Sequence, residues 1–293
     1  MIPPCIFCDN QSGSEEHLWA AWIHRLVKFG PIRVQEGTGP ETISDDPERT
    51  INTVCHKCNN TWMSRLEEKN KPSLHPMIQN QPTTIDPGRQ RLLTEWAVKT
   101  AMVQDSIKPR IGNESFYTRE ERTNMRLNQR VPDNTRIWIG ALTESHLGAF
   151  GTDFTILAGD CKTRVGTGIS NTIVIGHFVV QVVTTRILPE YAHLDFPELQ
   201  SKPGHWEHML INLYPKKAKR IEWPPKVVFT NGGPRGSAYL MDRWRMGEQA
   251  SMITRDSVVP LSEFAGSKPK ESFGGADELA RENIPKEHDP GNS

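Results

Sequence analysis

Apolar side chains in the first half of the chain recur every three or four positions, the period of a helix with one face turned inward. Leu18, Trp19, Trp22, Ile23, Leu26 and Val27 predict a helix over 18–28. Trp62, Met63 and Leu66, with Asn59 or Asn60 able to cap and Pro72 just beyond, predict a second over 59–70. Pro72, Pro76, Pro82 and Pro87-Gly88 then read as a linker from Lys71 to Arg89. Leu92, Leu93, Trp96, Ala97, Ala101 and Met102 mark an amphipathic helix that ends before Pro109, with Trp96 in the core. A mostly polar helix follows over 118–129, stopped by Val131-Pro132, with its arginines on a solvated, ion-paired face or against phosphate.

The pattern then changes to β-branched and aromatic runs. Segments 136–142, 154–158, 172–187 and 208–214 predict an antiparallel sheet. Gly166-Thr167-Gly168 is expected to turn one hairpin, and the long 172–187 run to be the central strand, covered by the Trp96 helix. His177 within it reads as a satisfied sheet histidine. Residues 30–53, rich in Gly, Pro, Thr and Asp, form a loop or a short hairpin, and 237–248 a last short helix. From 266 onward polar residues, Gly and Pro dominate, the composition of a disordered tail. The fold class is therefore α+β: a small module over 1–75, an antiparallel-sheet domain with flanking helices over 76–265, and a tail over 266–293.

At 293 residues the chain has room for such a module and one ordinary domain. Its 35 basic and 35 acidic residues cancel, so any attraction to nucleic acid must come from local patches. The densest basic patch, Tyr214 to Lys226 with aromatic residues Tyr214 and Trp223 toward its two ends, could hold phosphates beside an aromatic face. No run of about eighteen apolar residues exists, and Met1-Ile2-Pro3-Pro4 is not a signal peptide, so no membrane partner is expected. The five cysteines suit a reducing, cytoplasmic setting, with Cys161 an isolated thiol.

Chemistry concentrates at the other four cysteines. Cys5-x-x-Cys8 and Cys55-x-x-Cys58 lie forty-six residues apart, and each turn can aim two sulfurs at one point. Four thiolates are the shell of a structural tetrahedral zinc, with no position left for catalysis. A redox dithiol or two disulfides are the competing readings. Knuckle, excursion and a second knuckle opening a helix make the order of a treble clef, and a bound ion would supply much of the stability of so small a module. Glu16-His17 stands at the entrance of the first predicted helix, a carboxylate for a hard cation beside an imidazole able to take a proton.

Cys5-x-x-Cys8, Glu16-His17, then Cys55-x-x-Cys58-Asn59-Asn60-x-Trp62 together resemble the HNH endonuclease family in its four-cysteine zinc form, over about the first quarter of the chain. The resemblance implies a ββα-metal site on the treble clef, with His17 as general base, Glu16 as a ligand of a catalytic Mg²⁺ or Mn²⁺, and Asn59 in the position of the family's final histidine. Ala20 stands where the family usually has proline, and Asn52 is nearer the second knuckle than the family's middle asparagine. The implied activity is hydrolysis of phosphodiester bonds in DNA or RNA. The alternative is a zinc-stabilised module that binds nucleic acid or protein without cutting.

Overall fold

The computed structural model describes residues 3–14, 16–17, 19–27, 32–34, 42–44, 50–107, 115–157, 162–192, 211–215 and 218–226. The expected tail, the 237–248 helix, Cys161 and the Lys216-Lys217 pair lie outside them. The architecture is mixed helix and antiparallel sheet, in keeping with α+β.

The chain opens with a tight hairpin over residues 3–12, closed by bonds such as Cys5 N to Asn10 O at 2.8 Å and Ser12 N to Pro3 O at 3.0 Å. Strand β1 (Glu16–His17) pairs antiparallel with β4 (Thr50–Ile51). Glu16 and His17 therefore sit on a strand, and helix α1 begins only at Ala21 and ends at Leu26, shorter than its apolar pattern suggested. Trp19 and Val27, expected inside that helix, flank it and are buried all the same. Between β1 and β4, β2 (Ile32–Val34) and β3 (Thr42–Ser44) form the expected short hairpin.

The second knuckle runs into one continuous helical rod: α2 (His56–Cys58), a π-helical turn over Asn59–Met63, and α3 (Ser64–Ile78). The expected end near residue 70 and the linker beyond it are thus incorrect. Pro72 and Pro76 lie inside α3. Each removes a hydrogen bond to the carbonyl four residues back. Their rings stand on the outer face, Pro72 exposed and Pro76 half-buried, so water can serve those carbonyls, while Asn70, Leu74, Met77 and Ile78 bury the other face. Asn70 Nδ2 pins α3 to the next helix through the Leu92 carbonyl at 3.0 Å.

After β5 (Thr83–Ile85), Asp86 caps α4 (Pro87–Ser106), accepting from Gly88 N at 2.8 Å and Arg89 N at 3.0 Å. Pro87 opens the helix, where its missing donor costs nothing. Helix α4 is central, and Trp96 is buried as expected, its indole N–H donating to Glu67 at 2.8 Å. Helix α5 (Arg119–Asn128) starts with a reciprocal Thr118–Glu121 capping box.

The sheet departs furthest from expectation. Segments 136–142 and 154–158 are parts of a single strand, β6 (Thr135–Leu157), which pairs with β7 (Arg164–Ile187). The order is β7-β6-β8, with β8 (Ile211–Tyr214) beside β6, so the long run is not central. Gly166 and Gly168 do not turn the chain; they pair with Ile156 and Phe154 within the ladder. At Gly168 a Cβ would lie 2.2 Å from the Phe154 ring, so the position is small because an aromatic covers it.

The hairpin bends at its middle. Residues 142–145 bulge opposite His177, whose Nδ1 lies 2.9 Å from the Leu142 carbonyl oxygen, and Gly176 adopts φ +58°. The two arms of β7 then face each other: Gln181 Nε2 reaches Ser170 Oγ and Thr172 Oγ1, each at 3.1 Å. Leu188 N donates to Val165 O at 2.9 Å, joining the strand's beginning to its end. This folding-over, with α3 and α4 packed outside, is why an edge strand is buried along nearly all its length. The last strand, β9 (Ile221–Trp223), pairs with β5, and the buried apolar core runs without a break from Cys5 to Trp223.

Candidate metal centre

The four knuckle cysteines converge. Their Sγ atoms all lie within 4.8 Å of one another, with Cys8 to Cys55 and Cys8 to Cys58 both 3.5 Å. Sulfurs bound to one tetrahedral zinc at ~2.3 Å stand about 3.8 Å apart, so this spacing fits a single ion. It exceeds the ~2.05 Å of a disulfide by far, which removes the two-disulfide reading of this arrangement. Cys5, Cys55 and Cys58 are buried and Cys8 is half-buried. His56, on the outside of the second knuckle, is exposed and takes no part in the cluster.

Backbone donors complete each knuckle. Phe7 N points to Cys5 Sγ and Cys58 N to Cys55 Sγ, each at 3.4 Å, the bonds that a thiolate accepts from its own turn. Asn10 Nδ2 approaches Cys55 Sγ at 3.8 Å. The proton distribution reports the same crowding. A hydrogen bond from Cys58 draws Cys5 down to about 4. That contact, and burial, push Cys58 well above the usual thiol range, and burial raises Cys8. Four thiols this close cannot all ionise without a cation among them, so metal binding must release protons.

Two turns from opposite ends of a forty-six-residue excursion are held together by a short ribbon. Ile6 N donates to Thr53 O at 3.0 Å, Gly13 N and Ser14 N donate to Val54 O at 3.1 and 3.0 Å, and β1–β4 continues the pairing. Asn59, at the start of the π-helical turn, donates Nδ2 to Ser14 Oγ at 3.3 Å. Glu16 and His17 are two and three residues beyond Ser14 on the same ribbon, and their side chains lie outside what the structure describes.

No family model, curated protein or solved structure matches this chain.

The residues that sequence reasoning missed are on α5. Arg119 donates Nη1 to the Cys5 carbonyl and pairs with Asp9 at 2.7 Å, and Arg126 Nε donates to the Phe7 carbonyl at 2.9 Å. These arginines, expected at solvent or on phosphate, clamp the first knuckle instead. A zinc bound by four thiolates carries two net negative charges, and guanidinium groups beside it offset them while orienting the ligand loop. The capping-box pattern at Thr118 locates the helix in the sequence. Nothing local reveals what it docks against. Helix α5 is itself fixed by the buried pair Arg122–Asp105 at 2.8 Å. Among the described residues no helix is long and apolar enough to cross a membrane.

Proposed function

We propose that the chain is a metal-dependent endonuclease of the HNH kind, hydrolysing phosphodiester bonds of DNA, with the cysteine-held zinc purely structural. One observation carries the reading: the strand bearing Glu16 and His17 runs antiparallel to the strand that leads into the second knuckle and the Asn59 helix. Strand, strand and helix, with a knuckle ahead of each half, follow the order of a treble clef with a ββα-metal site. The Asn59–Ser14 hydrogen bond supports it further, because it ties the helix to the ribbon just upstream of His17.

In this reading Glu16 and Asn59 supply oxygen ligands to Mg²⁺ or Mn²⁺, which when bound would stabilise charge on the phosphate and the departing oxygen. His17, as neutral imidazole, accepts a proton from the attacking water. Asn59 is held by Ser14 and by the helical rod it lies in, so its oxygen is oriented before substrate arrives. The four cysteines fix the ribbon against the helix and touch no reacting atom.

Purified full-length protein incubated with supercoiled plasmid and Mg²⁺ or Mn²⁺ is expected to nick it, and His17→Ala to abolish nicking while keeping one zinc per chain. Binding of DNA without cleavage under every divalent ion would instead establish the non-catalytic module.

A further inference from the structure

A concave cleft of about 860 Å³ opens where α3, α4, the end of α5 and β8 converge. It begins at Trp62, one helical turn beyond Asn59 on the same rod, and Trp62 also packs edge-on against Phe7 of the first knuckle, ring centroids 5.0 Å apart. Tyr214 of β8 supplies a second aromatic wall.

Its charge departs from that of the chain. Arg65, Lys69, Arg91 and Arg130 line it against only Glu95 and Asp133, four positive against two negative, in a molecule whose total is zero. Asp133 lies 3.5 Å from Arg130 at the exposed outer end, and Glu95 lies 3.4 Å from Arg91. Arg65 and Lys69 are exposed and have no ion-pair partner among the described residues. They follow Trp62 at three and seven residues on α3, so one helix face presents an aromatic ring followed by two exposed cations.

Shape decides what such a surface takes. A duplex is read by protein elements that protrude into its grooves. A single strand is gripped in a concave channel, its phosphates on cations and its bases against aromatic faces. The arrangement here is of the second kind. Glu95, with its side chain only 10% exposed, repels phosphate from the floor, so the sugar–phosphate backbone is kept to the rim and the bases turn inward.

We infer that this cleft binds an unpaired strand of nucleic acid, with Arg65 and Lys69 on successive phosphates and Trp62 and Tyr214 against bases, feeding the strand toward the ribbon of Glu16 and His17. The identity of the polymer rests on the nuclease reading above; the shape and charge do not.

The test is fluorescence anisotropy with full-length His17→Ala protein, without Mg²⁺ or Mn²⁺, using labelled twelve-nucleotide dT and rU strands and a twelve-base-pair DNA duplex. Either single strand is expected to bind at least about tenfold more tightly than the duplex. Arg65→Ala/Lys69→Ala, both exposed and so harmless to the fold, should weaken single-strand binding about tenfold or more. It should also flatten the slope of log K against log salt by about 1.4, the loss of two phosphate contacts. Duplex bound as tightly as the single strands, no binding of either single strand, or a double variant that binds like the parent each overturns the cleft. The plasmid assay reports separately: a protein that holds single strands through Arg65 and Lys69 but never cuts refutes the nuclease and leaves the cleft standing.

Discussion

The cysteine end of the molecule and the folded β6–β7 hairpin both reverse the chain sharply, yet different forces hold them. At the hairpin, two long strands share a full ladder, and β7 is buried almost throughout against α3 and α4. At the cysteine end the strands are two residues long, and the first knuckle is held by a few backbone bonds and by arginines reaching from α5. Short ladders leave the reversal to whatever sits between the sulfurs. The lesson is that a long buried ladder can fix a strand without help, whereas two-residue ladders leave a turn to its charged neighbours and to the ion that its four sulfurs can hold.

The sharpest way to break this contrast is Cys55→Ser. It should release the metal, lowering zinc from one per chain to a small fraction, and destabilise the protein by roughly 5 kcal/mol or more. Amide exchange should rise across residues 5–14 and 53–63 while β7 keeps its protection. Uniform loss along the whole chain would mean that the two ends are one cooperative unit.

Gly176→Val attacks the other side. A Cβ there would come within 2.4 Å of the Ile78 carbonyl oxygen, and φ +58° is a conformation that a β-branched residue resists. A loss of about 3 kcal/mol in denaturant unfolding, with zinc content unchanged, is the expected result.

Arg126→Ala removes the bond to the Phe7 carbonyl and should cost about 1–2 kcal/mol. Zinc transfer to a chelator should speed up. An unchanged transfer rate would show that α5 plays no part in holding the ion.

The smallest effect concerns Glu95, whose carboxyl is pushed above the usual carboxylate range by burial, with Arg91 and Lys69 only partly opposing this. Its folded-state pKa exceeds the unfolded one, so the stability it contributes is present in acid and lost as pH rises through the raised value. At neutral pH the charge is a burden. Glu95→Gln should raise Tm by about 1–2 °C at pH 7 and leave it unchanged near pH 4.

What the sequence makes legible follows from how local each signal is. Paired Cys-x-x-Cys turns are complete within four residues each, and their convergence on one point agrees with the spacing. The existence of α4 and α5 was readable because the helical run and the proline beyond it are local, but α4 is not amphipathic: it is buried without a gap from Leu93 to Asp105, because α3, the sheet and α5 cover it on several sides. The bend at Gly176 was not. It sits in an unbroken apolar run, and only Ile78, distant in the chain, explains why a side chain is forbidden there. Pro72 and Pro76 misled because a breaker's cost depends on whether its face meets solvent, which no window of sequence displays. The roles of Arg119 and Arg126 depend on carbonyls more than a hundred positions away. The candidate site was legible in its ligands and dark in its supports.

The bond from Leu188 to Val165 has a consequence for how copies of this chain meet each other. A long strand at the margin of a sheet ordinarily offers donors and acceptors to any neighbour, the usual seed of aggregation. Here the ribbon bites its own tail, so at that point the margin is already occupied and a second molecule finds nothing left to zip onto.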